Sequence, residues 1–165
     1  MKKLVLDNNE IKNLVSKICR EVANSGWRPD YVVGLTRGGL LPAVMISHWF
    51  DVPCETLKVA LRDGGEPESN LWMAEDAYSG KNILIVDDIN DTGATIDWIV
   101  KDWPSGCFPS NDIWKKVWNG NVKFAVLVDN LASKCNVKMD FCGMEINKAE
   151  NDVWVDFPWE DWWTK

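Results

Sequence analysis

Residues 83–95, Ile83-Leu-Ile-Val-Asp-Asp-Ile-Asn-Asp-Thr-Gly-Ala-Thr95, set three carboxylates and a run of small residues directly behind a short apolar segment. Ile83–Val86 predicts a buried strand, with Asp87 and Asp88 at its C-terminal end and Asp91 shortly after. Thr92-Gly-Ala-Thr95 then opens a helical pattern, and a turn of small residues entering a helix offers backbone N–H groups and a favourable dipole to an anion. A phosphate held there would be repelled by the acids unless a divalent cation or sugar hydroxyls lay between. The ligand that satisfies both halves carries a phosphate, a polyol and a magnesium ion, and a phosphorylated ribose fits. An acid pair behind an apolar strand is by itself commonly a solvated turn; the whole string, with its fixed offsets, separates this segment from that case. A Walker-type nucleotide site is excluded by the lack of any G-x-x-x-x-G-K-[ST].

A second strand–turn–helix pattern, Val33-Gly-Leu-Thr-Arg-Gly-Gly-Leu40, supplies a fixed positive charge at Arg37 beside Gly38 and Gly39, where backbone amides can approach a ligand. It is not G-x-G-x-x-G, so no dinucleotide fingerprint is present. Taken alone it reads as a tight turn. Together with residues 83–95 it gives one ligand two anion sites with acids between them.

These segments need a scaffold. Asn9–Ser25 carries Ile11, Leu14, Val15, Ile18 and Val22 at helical spacing, with Gly26 and Pro29 as stop signals. Tyr31–Leu35 predicts a buried strand, Leu40–Phe50 a helix, and Glu55–Leu61 a further strand. The polar, glycine-rich stretch Arg62–Asn70 predicts a mobile loop. A helix follows from Thr92 to Trp103, ended by Pro104, and a short one from Asn111 to Trp118. Lys123–Val128, Val137–Phe141 and Val153–Val155 are the remaining strand candidates. Strands alternating with helices predict an α/β fold with a doubly wound, mainly parallel sheet flanked by helices, in one domain spanning residues 1–165.

Composition narrows the partners. At 165 residues, 46% hydrophobic and 26% charged, the chain can bury a sizeable core. No uncharged apolar stretch of about 18 residues predicts a membrane span, and the early Asp7 argues against a signal peptide, so the cytoplasm is expected. The net charge of −7 argues against nucleic acid as a partner. Five scattered cysteines without a C-x-x-C pair speak against zinc or a disulfide framework. The sole histidine, His48, reads as a packed residue of the Leu40–Phe50 helix. Eleven tryptophans are many for this length, and Trp154, Trp159, Trp162 and Trp163 crowd the end of the chain. They could form a packed tail, an oligomer contact or a pocket wall.

The 83–95 string resembles the phosphoribosyl-diphosphate (PRPP) motif of type I phosphoribosyltransferases, and Thr36-Arg-Gly-Gly39 resembles their diphosphate loop. Adding Asp152-Val-Trp-Val-Asp-Phe-Pro-Trp-Glu160, the chain is similar to the xanthine–guanine branch over nearly its whole length, with residues 104–121 as an apparent insertion. The resemblance implies a small C-terminal hood, a cis peptide after Thr36, and transfer of the 5-phosphoribosyl group from PRPP to a nucleobase, a 6-oxopurine, with release of diphosphate. It implies that Asp87 and Asp88 hold the ribose hydroxyls and magnesium, and that Asp91 accepts a proton from the base. Thr92, Gly93, Ala94 and Thr95 would cradle the 5′-phosphate, Arg37 and Gly38 bind the diphosphate, Trp154 stack on the base and Val155 offer it backbone groups. The Arg62–Asn70 loop would close over the reacting centre. A homo-oligomer, dimer or tetramer, is also implied, and the insertion with Trp103, Trp114 and Trp118 would suit a contact with another subunit.

At one point the chain departs from that branch. A lysine that follows the strand matching Phe124–Val128 and donates to the purine's 6-oxygen is absent; the strand runs into Asp129-Asn-Leu-Ala-Ser133, and Lys123 and Lys134 are displaced. Asn130 is then the candidate base-reading group, able to donate to an oxo group or accept from an amino group. A different acceptor base and a non-catalytic PRPP-binding regulator both remain open.

Overall fold

A computed structural model describes residues 1–59 and 66–165. Its elements run β1 (Lys2–Val5), α1 (Asn8–Asn24), β2 (Tyr31–Thr36), α2 (Leu40–Phe50), β3 (Cys54–Lys58), α3 (Leu71–Tyr78), β4 (Ile83–Asn90), α4 (Ala94–Ser105), α5 (Trp114–Val117), β5 (Val122–Asn130), β6 (Phe141–Ile146) and β7 (Val153–Asp156). Five strands form a parallel sheet in the order β3-β2-β4-β5-β6. The chain winds outward from β2 to β3, then returns past β2 to β4 and continues the other way. The gap between β2 and β4 is therefore the topological switch point, where open α/β sheets bind ligands beyond their strand ends.

Side chains that alternate along each strand divide the core between the two faces of the sheet. Leu84 and Val86 join Val32, Ala125 and Leu127 against α1 and α2, through Ile18, Val22 and Ile46. Ile83 and Ile85 join Val33, Leu35 and Phe124 against α3, α4 and α5, through Met73, Ile99 and Trp103. A capping box between Asp7 and Glu10 starts α1.

Several expectations need correction. Leu71–Tyr78 forms α3, which the sequence reading passed over although Asn70 caps it by accepting from Met73 N at 3.0 Å. The helix behind the acids runs to Ser105 with Pro104 inside it, because a proline in the last turn removes only one hydrogen bond and Trp103 beside it is fully buried. The strand predicted at Val137–Phe141 begins instead at Phe141. Val137 and Met139 lean on the α4-side core from a loop, and Asp140 sets the register by accepting from Phe124 N at 2.8 Å while its own N–H donates to Phe124 O. Asn111–Trp118 contracts to a single turn, Trp114–Val117. His48 is exposed on α2 rather than packed.

Residues 103–121 carry three of the tryptophans. Trp103 and Trp114 are buried in the chain's own core. Trp118 stacks between Trp114 and Phe124 at centroid distances of 5.6 and 6.1 Å, and Trp114 Nε1 donates to Cys107 O at 2.8 Å. The segment packs over the α3–α4 face with Trp118 half-buried, while its Phe108 and Ile113 stay exposed. At the opposite edge, β7 pairs in parallel with β1, Lys2 to Val153 through Val5 to Asp156, so the C-terminal hood is built from both ends of the chain. The end of the predicted third strand and the first part of the predicted closing loop fall in residues 60–65, outside the described residues.

Candidate functional site

β4 extends past its apolar run through the acids to Asn90. Its pairing with β2 stops at Gly34–Val86, whereas its pairing with β5 continues to Asn90–Asp129. Asp87 and Asp88 thus ride a strand that is still held on one side and has lost its neighbour on the other. The opening faces the turn after β2. That turn contains a cis peptide between Thr36 and Arg37, followed by Gly38, packed so closely that a Cβ there would overlap the Asp88 carboxylate. A larger residue at Gly38 would push the Asp88 carboxylate aside, and one at Gly39 would meet the backbone of β4 at Val86 O.

Asp88 is buried, and its Oδ1 accepts from Ile89 N at 2.7 Å; Asp87 Oδ1 accepts from Asp88 N at 2.8 Å. These contacts orient both carboxylates locally. Beyond them the chain turns through Asp91, Thr92 and Gly93 into α4. Gly93 has φ 93°, and a Cβ there would lie 2.6 Å from Cys135 N, so conformation and space both demand glycine. The N-cap residue Gly93 has no side chain to cap α4, and Thr92 Oγ1 accepts from Ala94 N at 3.3 Å; a helix start of this kind is suited to an anion. Asp97 and Thr92 tie this turn to the segment after β5: Asn136 N donates to Asp97 Oδ1 at 3.0 Å and Lys134 N to Thr92 O at 3.1 Å.

Arg37, Gly38, Asp87, Asp88, Asp91, Thr92, Gly93, Ala94 and Thr95 all line one cleft of about 640 Å³, which Trp159, Trp162 and Trp163 line as well. A much smaller crevice, about 10 Å³, adjoins it between Asp88, Asp91, Trp154, Val155 and Glu160. Trp154 is 41% exposed while Val153 and Val155 are buried, as strand alternation requires when one face of the hood looks into the crevice.

Asn130 departs from its expected role. It is 5% exposed and lines neither space. Its Nδ2 donates to Asp91 O at 2.9 Å and to Asp91 Oδ1 at 3.4 Å, and its Oδ1 accepts from Ala132 N at 3.1 Å and Lys148 N at 3.0 Å. Each polar atom is committed to the protein, so the amide holds Asp91 and the β6–β7 loop together and does not face a base. Lys148, which the sequence reading passed over, occupies the crevice. Its Nζ lies 3.0 Å from Asp91 Oδ1 and 5.8 Å from the centroid of the Trp154 ring. No local pattern marks Lys148; only its closeness to the Asp152–Glu160 segment hints at it.

The donors suit magnesium of a particular kind. Among the described residues no group of three or more His, Cys, Asp or Glu side chains stands ready to hold a metal. Magnesium is commonly bound by one or two carboxylates together with substrate phosphates, and the adjacent carboxylates Asp87 and Asp88 at the mouth of the cleft fit that mode.

The phosphoribosyl transferase domain family matches residues 3–162. A xanthine–guanine phosphoribosyltransferase of Cereibacter sphaeroides is 31% identical over 83% of this chain and 71% of its own length. One from Roseobacter denitrificans is 27% identical over 81% of this chain and 69% of its own. Among solved structures, a purine phosphoribosyltransferase from Pyrococcus horikoshii superposes with a TM-score of 0.67 at 26% identity, covering 97% of this chain and 95% of that one. The chain belongs to the phosphoribosyltransferase family, with the parallel, doubly wound sheet of that fold. No helix among the described residues is long and apolar enough to cross a membrane.

Proposed function

We propose that this protein transfers the 5-phosphoribosyl group from PRPP to a purine base, a 6-oxopurine, forming a nucleoside monophosphate and diphosphate. One observation carries the reading: a single cleft at the switch point unites an Arg-Gly-Gly loop, an acid pair and a helix start entered through small residues. Its relatives named for xanthine and guanine favour the oxopurine class.

In this reading the first turn of α4, entered through Thr92–Thr95, binds the 5′-phosphate and Asp87 and Asp88 hold the ribose hydroxyls. Arg37 and the amide of Gly38 take the diphosphate. Asp87 and Asp88 would hold magnesium together with the substrate's oxygens, and the ion would supply positive charge to offset that of the departing diphosphate. As the bond from the anomeric carbon to diphosphate breaks, positive charge builds on the ribose, and the nearby carboxylates stabilise it. A base nitrogen then attacks that carbon, and Asp91 receives the proton the ring gives up. Trp154 stacks on the base and the Val155 backbone meets its edge. The Arg62–Asn70 segment would exclude water while the ring is electrophilic.

The same reading places the enzyme in the cytoplasm as a dimer or tetramer. All five cysteines are free thiols, as suits a reducing compartment, and α2 leaves Leu41, Val44 and Trp49 exposed on one helix. The test is mass spectrometry of products from PRPP, magnesium and a mixture of guanine, xanthine, hypoxanthine, adenine, uracil and orotate. A purine nucleoside monophosphate appearing with diphosphate supports the proposal. A pyrimidine product would replace the acceptor, and PRPP binding without any product would replace the enzyme by a regulator.

A further inference from the structure

The β6–β7 loop brings one ammonium group to the place where the proposed reaction needs its base. Lys148 is only 19% exposed at its side chain, Asp91 27%, and their Nζ and Oδ1 stand 3.0 Å apart. The lysine's backbone is fixed as well, because its N–H donates to Asn130 Oδ1, and Asn130 also holds Asp91. A donor and an acceptor thereby stand side by side, with the ammonium over the Trp154 ring.

A 6-oxopurine carries a complementary pair. Its N7 and O6 sit next to each other on one edge, whereas adenine shows N7 beside an amino donor. With Asp91 accepting the N7 proton, a cation adjacent to that carboxylate meets O6 of an oxopurine and would meet a second donor on adenine. The crevice has only about 10 Å³ free, about one water's worth, since the lysine lies against the ring face. A base stacking on Trp154 must displace the ammonium from that face toward the base edge, while its backbone anchor stays put.

We infer that Lys148 is the specificity-determining residue for the base, donating from Nζ to the exocyclic 6-oxygen and taking over, from the β6–β7 loop, the contact that no lysine at the end of β5 can make. The inference rests on the proposed transfer to a purine. Asn130 is its positioning residue.

The experiment compares wild type, K148M and K148R. It measures kcat/KM for hypoxanthine and guanine, the inhibition constant of unsubstituted purine (which lacks the 6-oxygen), and the Kd of PRPP by calorimetry. A charge-assisted hydrogen bond predicts that K148M lowers kcat/KM for both oxopurines by about 10- to 100-fold. Purine inhibition and PRPP binding should change by less than about twofold, and K148R should recover part of the loss. K148M retaining wild-type kcat/KM, or weakening purine and hypoxanthine alike, overturns the inference on an active background. Wild-type protein that binds PRPP and turns over neither oxopurine overturns the proposed function itself, and this assignment with it.

Discussion

The two ends of the cleft are built in opposite ways. The end proposed to bind phosphate is contiguous: Asp87 to Thr95 lie within one strand–loop–helix, and the second contributor, Arg37-Gly38, follows the neighbouring strand. The base end is dispersed. Asp91 comes from behind β4, Asn130 from the end of β5, Lys148 from the β6–β7 loop, and Trp154 from a strand that needs the N-terminal β1 as partner. A phosphate is bound by backbone amides, which any small-residue turn before a helix can present, so the requirement is local. A flat base is recognised by groups at its face and edges, which no single loop can surround.

That contrast can be broken most forcefully at Asp91, where the two ends meet. D91N should lower kcat by roughly 10²- to 10⁴-fold, the range for losing a general base, while steady-state kinetics show the KM for PRPP little changed. Equal damage to PRPP binding would mean that the ends are not separable. At the phosphate end, G93A forces a Cβ into the Cys135 backbone at positive φ. About 1–3 kcal/mol of strain is expected, read as a lower midpoint in thermal or urea unfolding and a raised KM for PRPP.

At the base end, W154A should weaken base binding by about 1–3 kcal/mol, the usual value of an aromatic stack. PRPP affinity and the mass in solution should stay the same, and a change in oligomeric state would assign the ring to assembly instead. N130A, which strips the hub between Asp91 and Lys148, should cost about 1–3 kcal/mol of stability from unpaired buried groups, and raise the KM for base more than for PRPP. The smallest effect is expected at His48. It is exposed on α2 and far in function from both ends, so H48A should shift stability by no more than about 0.5 kcal/mol and leave kcat/KM unaltered.

The corrections follow the same division. α3 was overlooked because its eight residues carry a short apolar repeat behind a polar loop, too brief for periodicity to stand out. Val137, Met139 and Phe141 alternate as a strand would, yet the ladder with β5 begins only at Phe141 opposite Ala125, next to the Asp140 anchor. Trp103 and Trp114 are buried in the chain's own core, whereas Phe108 and Ile113 between and beside them stay exposed, a split that only the tertiary packing decides. Asn130 occupies the position where a base-reading lysine was missed, and its hydrogen bonds turn it inward.

From the letters alone came the parallel α/β class, the PRPP-like cradle and its acids, and the Trp154-bearing tail, because strand period, small-residue turns and acid spacing are short-range properties of a chain. Tertiary structure alone decided where β4 parts from β2 to expose Asp87 and Asp88, what Asn130 spends its amide on, and that Lys148 reaches Asp91. Those are meetings between residues far apart in sequence, set by sheet order and loop packing, and no local pattern carries that information.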